Sequence, residues 1–176
     1  MPPEEIETTL LDGSLDLGVG ISYQRRPGLR YQTLYRERDV LVCNARHPLA
    51  AITEPHALAR AVPGAKKIVR NFMQKQEFPF IHDEDRSVIT AVSSVEAAAF
   101  LILNCPFIGF LPRHYAQQWL DDGRLVALAP EKFVRYSNVS LILPDRQRSP
   151  SRALTHFLQC LEMERVRALS QSSAPI

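Results

Sequence analysis

The residues from Ser93 to Pro112, reading SSVEAAAFLILNCPFIGFLP, constrain the fold more than any other stretch of the chain. Ser93 and Ser94 carry hydroxyls that accept hydrogen bonds from backbone N–H groups two or three positions on, the role of a helix N-cap. Glu96 follows Ser93 by three residues, the spacing of a capping box. Val95 to Leu103 is almost wholly apolar, which predicts a buried helix. Asn104, Cys105 and Pro106 end it, because proline lacks an N–H and disfavours helix in the residue before it. Phe107 to Leu111 is a short apolar run between breakers, the pattern of a fully buried parallel strand. A helix feeding a short strand, with a further helix opening near Pro112, is a unit of an open α/β sheet. Ligands of such sheets sit at strand carboxyl ends and helix N-termini. Two edges therefore face a ligand in this reading, one at Ser93-Ser94 and one at Phe110 to Arg113.

The rest of the chain supplies matching units. Glu4 to Asp12 reads as a short helix closed by the Asp12-Gly13 turn. Leu15 to Ile21 reads as a buried strand, Leu29 to Tyr35 as a strand with one exposed face, and Val40 to Cys43 as a third. Pro55 opens a short helix at its first turn. Lys67 to Arg70 and Ser87 to Val92 read as strands, separated by a long irregular loop from Asn71 to Arg86. Arg113 to Leu120 is a helix stopped at Asp121-Asp122-Gly123, where glycine suits the left-handed C′ position. Arg124 to Leu128 and Ser137 to Leu143 are further strands. Pro150 opens a last helix with Leu154, Phe157, Leu158 and Leu161 at helical spacing.

Composition removes several function classes. The net charge of +2 comes from 21 basic and 19 acidic residues. With no concentrated basic run, these residues make no electrostatic case for nucleic-acid binding. Cys43, Cys105 and Cys160 are scattered, without metal-ligand spacing, and read as reduced, mostly buried thiols. The five histidines show no paired spacing with Cys, Asp or Glu that would build a metal site, and His82 to Asp85 reads as a solvated acidic loop, with weak divalent-ion binding as the other reading. There is no GxSxG elbow, P-loop or GxGxxG. Cys105 sits at a helix C-terminus, whose partial negative charge raises a thiol pKa. The reading is a non-enzyme without metal or cofactor. MPPEEIE is not a secretory signal, and no apolar run spans a bilayer, so a cytoplasmic location is expected.

Several landmarks, in order, resemble the effector-binding region of LysR-type transcriptional regulators. They are Leu11 to Gly18 (LDGSLDLG), Pro27-Gly28-Leu29, Leu34-Tyr35, His47-Pro48-Leu49-Ala50, Ile108 to Pro112 (IGFLP), Gly123 to Val126 (GRLV) and Ser149-Pro150. The resemblance covers roughly Leu10 to Met163. It implies an α/β fold of the type II periplasmic-binding-protein kind: two lobes joined by two crossover strands, with a small-molecule effector between them. Lobe I would comprise residues 1–45 and 140–176, and lobe II residues 46–139. The family also implies a homodimer, and DNA contact through a winged helix-turn-helix that these residues do not contain. The first strand and helix of lobe I are missing too, which leaves lobe I incomplete. A free-standing solute-binding protein of the same fold is the alternative, against which the lack of an export signal counts.

Carried onto this chain, the resemblance and the strand-end rule together nominate effector-binding residues. Ser22 and Tyr23 follow the first buried strand, with an ordinary polar loop as the other reading. Arg70, Asn71 and Phe72 follow the first strand of lobe II. Arg70 would pair bidentately with a carboxylate effector, or would be a surface arginine. Ser93 and Ser94 would bind an anion at the free N–H groups of a helix start, or serve only as caps. Phe110 would wall the site or belong to the core. An anionic effector is expected. Asn104-Cys105-Pro106-Phe107 replaces a connection that usually contains glycine; if that turn needs a positive φ, Asn104 is the residue that tolerates it best.

Overall fold

The structure is a computed structural model that describes residues 1–21, 24–71, 89–145 and 151–172. The chain packs as two units, residues 1–35 with 138–176 (unit 1) and residues 36–137 (unit 2). The sequence reading draws the division after residue 45 and before residue 140.

Unit 1 begins with helix α1 (Pro3–Asp12), which ends as the sequence dictates: Gly13 adopts φ 88° and its N–H reaches back to the Thr9 carbonyl. Strand β1 (Gly18–Ile21) pairs antiparallel with the second half of β7 (Val134–Pro144), Gly18 opposite Ile142 and Ile21 opposite Val139. Leu10 of α1, Ile142 of β7 and Leu29 form the core, with Ile6, Leu15 and Tyr31 packed on it. Helix α5 (Arg152–Ser172) follows. Its apolar residues Leu154, Phe157, Leu158 and Leu161 are all at least partly exposed.

Leu29 also begins β2 (Leu29–Asn44), one strand of 16 residues. The sequence reading splits it into two strands around the charged run Arg36 to Asp39. The charges do not break the strand because each finds a partner: the Arg36 guanidinium lies 4.0 Å over the Tyr136 ring, Arg38 donates to the Pro130 carbonyl, Asp39 turns inward onto Arg70 and Arg135, and Glu37 Oε1 lies 4.0 Å from His114 Nδ1. A buried charge is costly only when it is left unpaired.

In unit 2, β3 (Lys67–Arg70) pairs parallel with β4 (Ile89–Val92) and with β5 (Ile108–Pro112). On its other side β5 runs antiparallel to β2, with Leu41 opposite Phe110 and Asp39 opposite Pro112. The short β6 (Leu125–Ala127) pairs with the end of β2. All five residues of β5 are buried, as its unbroken apolar run requires. Helix α2 (Pro55–Ala61) covers one face, where Leu58 packs with Leu41, Cys43, Ile108 and Phe110. Helices α3 (Val95–Asn104) and α4 (Arg113–Asp121) cover the other, where Ala98, Ile102 and Ala116 pack with Val40, Val42 and Leu111.

The connection from α3 to β5 is made without a positive φ. Asn104 stays in the helix and its side-chain amide donates to the Phe100 carbonyl at 2.8 Å. Cys105 is extended, and Phe107 packs against the α3 cluster. The thiols are free but not mostly buried: Cys43 is buried, Cys105 half-buried and Cys160 exposed. The loop predicted from Asn71 to Arg86 lies, after Asn71, outside the described residues.

Candidate functional site

Because β3, β4 and β5 are parallel, their carboxyl ends share one edge of unit 2. Arg70 stands beside Val92 in the register, so Asn71, Ser93 and Ser94 leave their strands next to one another. The Asn71 N–H donates to the Val92 carbonyl at 2.9 Å, which extends the pairing by one residue beyond β3. Asn71 and Ser93 are exposed and Ser94 is half-buried.

Ser94, rather than Ser93, is the N-cap of α3. Its Oγ accepts from the Ala97 N–H at 3.2 Å. Glu96 is therefore one position too early for the capping box that its distance from Ser93 suggests. Its carboxyl instead accepts from its own N–H and from the Ser94 hydroxyl, and these bonds hold its pKa below the ordinary value. An anion arriving at this helix start meets a carboxylate already seated there.

The same edge carries a cluster that sequence reasoning only half anticipates. Asp39 is fully buried, and its Oδ2 accepts from Arg70 Nη2 at 2.9 Å and from Arg135 Nη2. Arg70 is thus neither a surface arginine nor an isolated cation; it is 4% exposed and tied to an internal carboxylate. Asp39 Oδ1 has no hydrogen-bond partner among the described residues. Arg135, at the start of β7, also lies over the Phe110 ring at 5.5 Å from its centroid. Phe110 itself is a core residue, 6% exposed. Glu37, two residues before Asp39, has Oε1 4.0 Å from His114 Nδ1 on α4. Burial, then the Asp39 charge, push the Glu37 carboxyl above its ordinary value, against the smaller pull of His114, Arg70 and Arg135.

Of the nominated residues, the structure brings Arg70, Asn71, Ser93 and Ser94 to this edge and sets Phe110 in the adjoining core. Ser22, Tyr23 and Phe72 lie outside the described residues. Asp39, Glu37 and Arg135 were missed. The available signal was a pair of acidic residues at alternate positions of a strand otherwise running into apolar sequence, since i and i+2 share a face. Among the described residues no group of three or more His, Cys, Asp or Glu side chains could hold a metal ion, and no helix is long and apolar enough to cross a membrane.

Comparison with known proteins agrees with this architecture. Residues 1–165 match the model of the LysR substrate binding domain. The HTH-type transcriptional activator BauR of Pseudomonas aeruginosa is 35% identical over 159 residues, covering 90% of this chain and 52% of that protein. The HTH-type transcriptional regulator PunR of Escherichia coli K12 is 28% identical over 158 residues, covering 86% and 49%. The chain thus spans about half the length of the relatives it matches. Among solved structures, the bromide-bound regulatory domain of HypT from Salmonella typhimurium superposes with a TM-score of 0.75 at 16% identity, covering 95% of this chain and 80% of that one. The full-length regulator LysG of Corynebacterium glutamicum, with bound effector Arg, gives 0.68 at 17% identity, covering 95% and 57%. The fold is therefore the mixed α/β fold of LysR-type regulatory domains, of the type II periplasmic-binding-protein kind.

Proposed function

Since the chain belongs to the LysR substrate-binding domain family, we propose that it serves as the sensing domain of a transcriptional regulator and takes a small anionic effector at the carboxyl edge of unit 2. One observation carries this reading. The ends of three parallel strands, the capped start of α3 and two guanidinium groups converge on a single edge. Ligands of open α/β sheets sit at strand carboxyl ends, and at the start of α3 an anion would take the place that the Glu96 carboxylate now holds. Arginines held by a buried carboxylate add charge in a fixed orientation, which suits a carboxylate partner. Asn71, Ser93 and Ser94 are the residues at this edge that a ligand reaches first.

BauR and PunR are transcriptional regulators rather than enzymes, which accords with the lack of a catalytic motif. Within a regulator of the length of BauR, working in the cytoplasm as a dimer, effector occupancy would favour one conformation over another. DNA contacts made elsewhere in the polypeptide would change accordingly.

The test begins with a thermal-shift screen of small carboxylates, including amino acids, the class of the arginine bound by LysG. At least one is expected to raise the midpoint. Calorimetry with that compound then compares the chain with the Ser93→Ala, Ser94→Ala double variant. Affinity should fall about tenfold, the effect of losing roughly 1.4 kcal/mol of contacts, while unfolding stays cooperative. Unchanged affinity removes the two serines from the site; a screen in which no carboxylate binds removes the anionic effector.

A further inference from the structure

Helix α5 of unit 1 carries three soft donor atoms that neither the fold nor the effector reading uses. His156 Nε2 lies 3.8 Å from Cys160 Sγ, one helical turn away. Met163 follows Cys160 by three residues and His156 by seven. At about 3.6 residues per turn, the three side chains leave the helix within an arc of about 60°. Leu154, Leu158 and Leu161, the less exposed residues of α5, leave it on the opposite side. His156 and Cys160 are exposed, and Met163 is 57% exposed. Cysteine and methionine are among the residue types most often buried, so packing gives no reason for either to stand on this face.

We propose that His156, Cys160 and Met163 form a binding site for a soft monovalent cation, copper(I), with the imidazole Nε2, the Cys160 thiolate and the Met163 thioether as its ligands. The bond lengths of zinc, another d10 ion, are about 2.3 Å to sulfur and about 2.0–2.1 Å to imidazole nitrogen. At angles between tetrahedral and trigonal, such lengths put the two donors about 3.6–3.8 Å apart. The His156–Cys160 pair already has this separation. Among the described residues no third His, Cys, Asp or Glu joins the pair to hold a metal, and Glu162 and Glu164 have partners of their own. The remaining donor is a thioether, which selects a soft cation over a hard one. Binding exchanges the Cys160 thiol proton for the ion, and that proton leaves to the buffer. The sequence reading finds no metal spacing around this histidine because His-x3-Cys supplies two ligands; the third appears only when the methionine is counted. The site stands apart from the effector reading, since its ligands belong to unit 1 and no anion takes part.

The probe is copper(I) itself, supplied without oxygen as its acetonitrile complex and titrated into this chain against a chromophoric copper(I) chelator. The comparison variants are Cys160→Ser, Met163→Leu and Cys105→Ser, the last removing a thiol outside the site. The unmodified chain and Cys105→Ser should bind one equivalent, and X-ray absorption should show two sulfur neighbours and one nitrogen around the copper. Cys160→Ser should weaken binding about a hundredfold and Met163→Leu about tenfold, the range that loss of a metal-site partner spans. The Met163→Leu complex should keep a single sulfur neighbour. Affinity unchanged in Cys160→Ser, or lost in Cys105→Ser, overturns the site. Affinity and sulfur count both unchanged in Met163→Leu overturn the three-donor set. Zinc that displaces copper(I) at equal concentration overturns the preference for a soft ion. One equivalent of copper(I) should also protect Cys160 of the unmodified chain from alkylation, read by peptide mass. Labelling of Cys160 at an undiminished rate overturns the site whether or not the variants fold.

Discussion

Arg70 Nη2 lies 2.9 Å from Asp39 Oδ2, a contact in which the carboxylate is fully buried and the arginine 4% exposed. Arg135 meets the same oxygen from β7, so a single carboxylate joins three strands of unit 2. Buried ion pairs add little net stability over apolar packing, because desolvation offsets most of the attraction. What they add is orientation, since each guanidinium can satisfy its donors in few ways. Here that orientation turns both cations onto Asp39, opposite Pro112 at the end of β5.

Asp39→Ala is expected to cost about 3–5 kcal/mol, because it leaves two buried guanidinium groups without the carboxylate they share. Asp39→Asn keeps the shape but removes the charge, and should be destabilising as well. Urea denaturation at neutral pH measures both. A loss below about 1 kcal/mol, the value of an exposed pair, would contradict the burial of this cluster.

Glu37 gives a pH dependence of defined sign. Its folded pKa is raised above the ordinary 4.5 by burial and by Asp39. The folded chain thus holds that proton more tightly than the unfolded chain. The stabilisation is fully present below 4.5 and is lost as pH rises through the raised value. Glu37→Gln removes the titration. Urea midpoints taken stepwise through this window should therefore improve in the variant relative to the unmodified chain as pH rises; a constant difference would contradict the shift.

Local signals in the sequence were strong where chemistry is local. Gly13 and Gly123 end their helices at φ 88° and 72°, and β3 occupies the predicted Lys67 to Arg70. The apolar run read as a buried strand from Phe107 to Leu111 forms one from Ile108 to Pro112, with Phe107 half-buried before it. What failed depended on partners far away in the chain. Nothing local tells that Asp39 will meet Arg135, 96 positions on, so a charged run that reads as a break is a continuous strand. The cap of α3 stayed open between two adjacent serines that satisfy the same rule; Ser94 takes it, and Glu96 bonds to it from the first turn. The candidate site was legible as an edge, through the strand-end rule, and not as a charge cluster.

The three thiols should react at separate rates. Cys43 is fully buried, and burial pushes its thiol up to about 11. At pH 8 only about one part in a thousand is thiolate. Cys160 is exposed on α5 and Cys105 is half-buried. A disulfide reagent should label Cys160 first, Cys105 more slowly, and Cys43 only after unfolding. Cys160→Ser should remove the fast phase; a fast phase that survives would reassign it.

Gly109 sets how closely α3 approaches the sheet. A Cβ there would stand 3.0 Å from Ile102 Cδ1 and 3.2 Å from the Ile68 carbonyl oxygen. Ile102 can rotate, but the carbonyl is fixed by the parallel register in which Ile68 neighbours Gly109. Gly109→Ala must therefore displace β3 or α3, at a cost of about 1–3 kcal/mol for overpacking. Gly64 is the control, since nothing lies within 4 Å of a Cβ built there. Gly64→Ala should change stability by less than about 0.5 kcal/mol. Equal urea midpoints for the two variants would mean that the α3-to-sheet distance adjusts freely, and that Gly109 does not set it. A large loss confined to Gly109→Ala would mean that the strand-end edge beside α3 is held by backbone packing, which is what a preformed anion site requires.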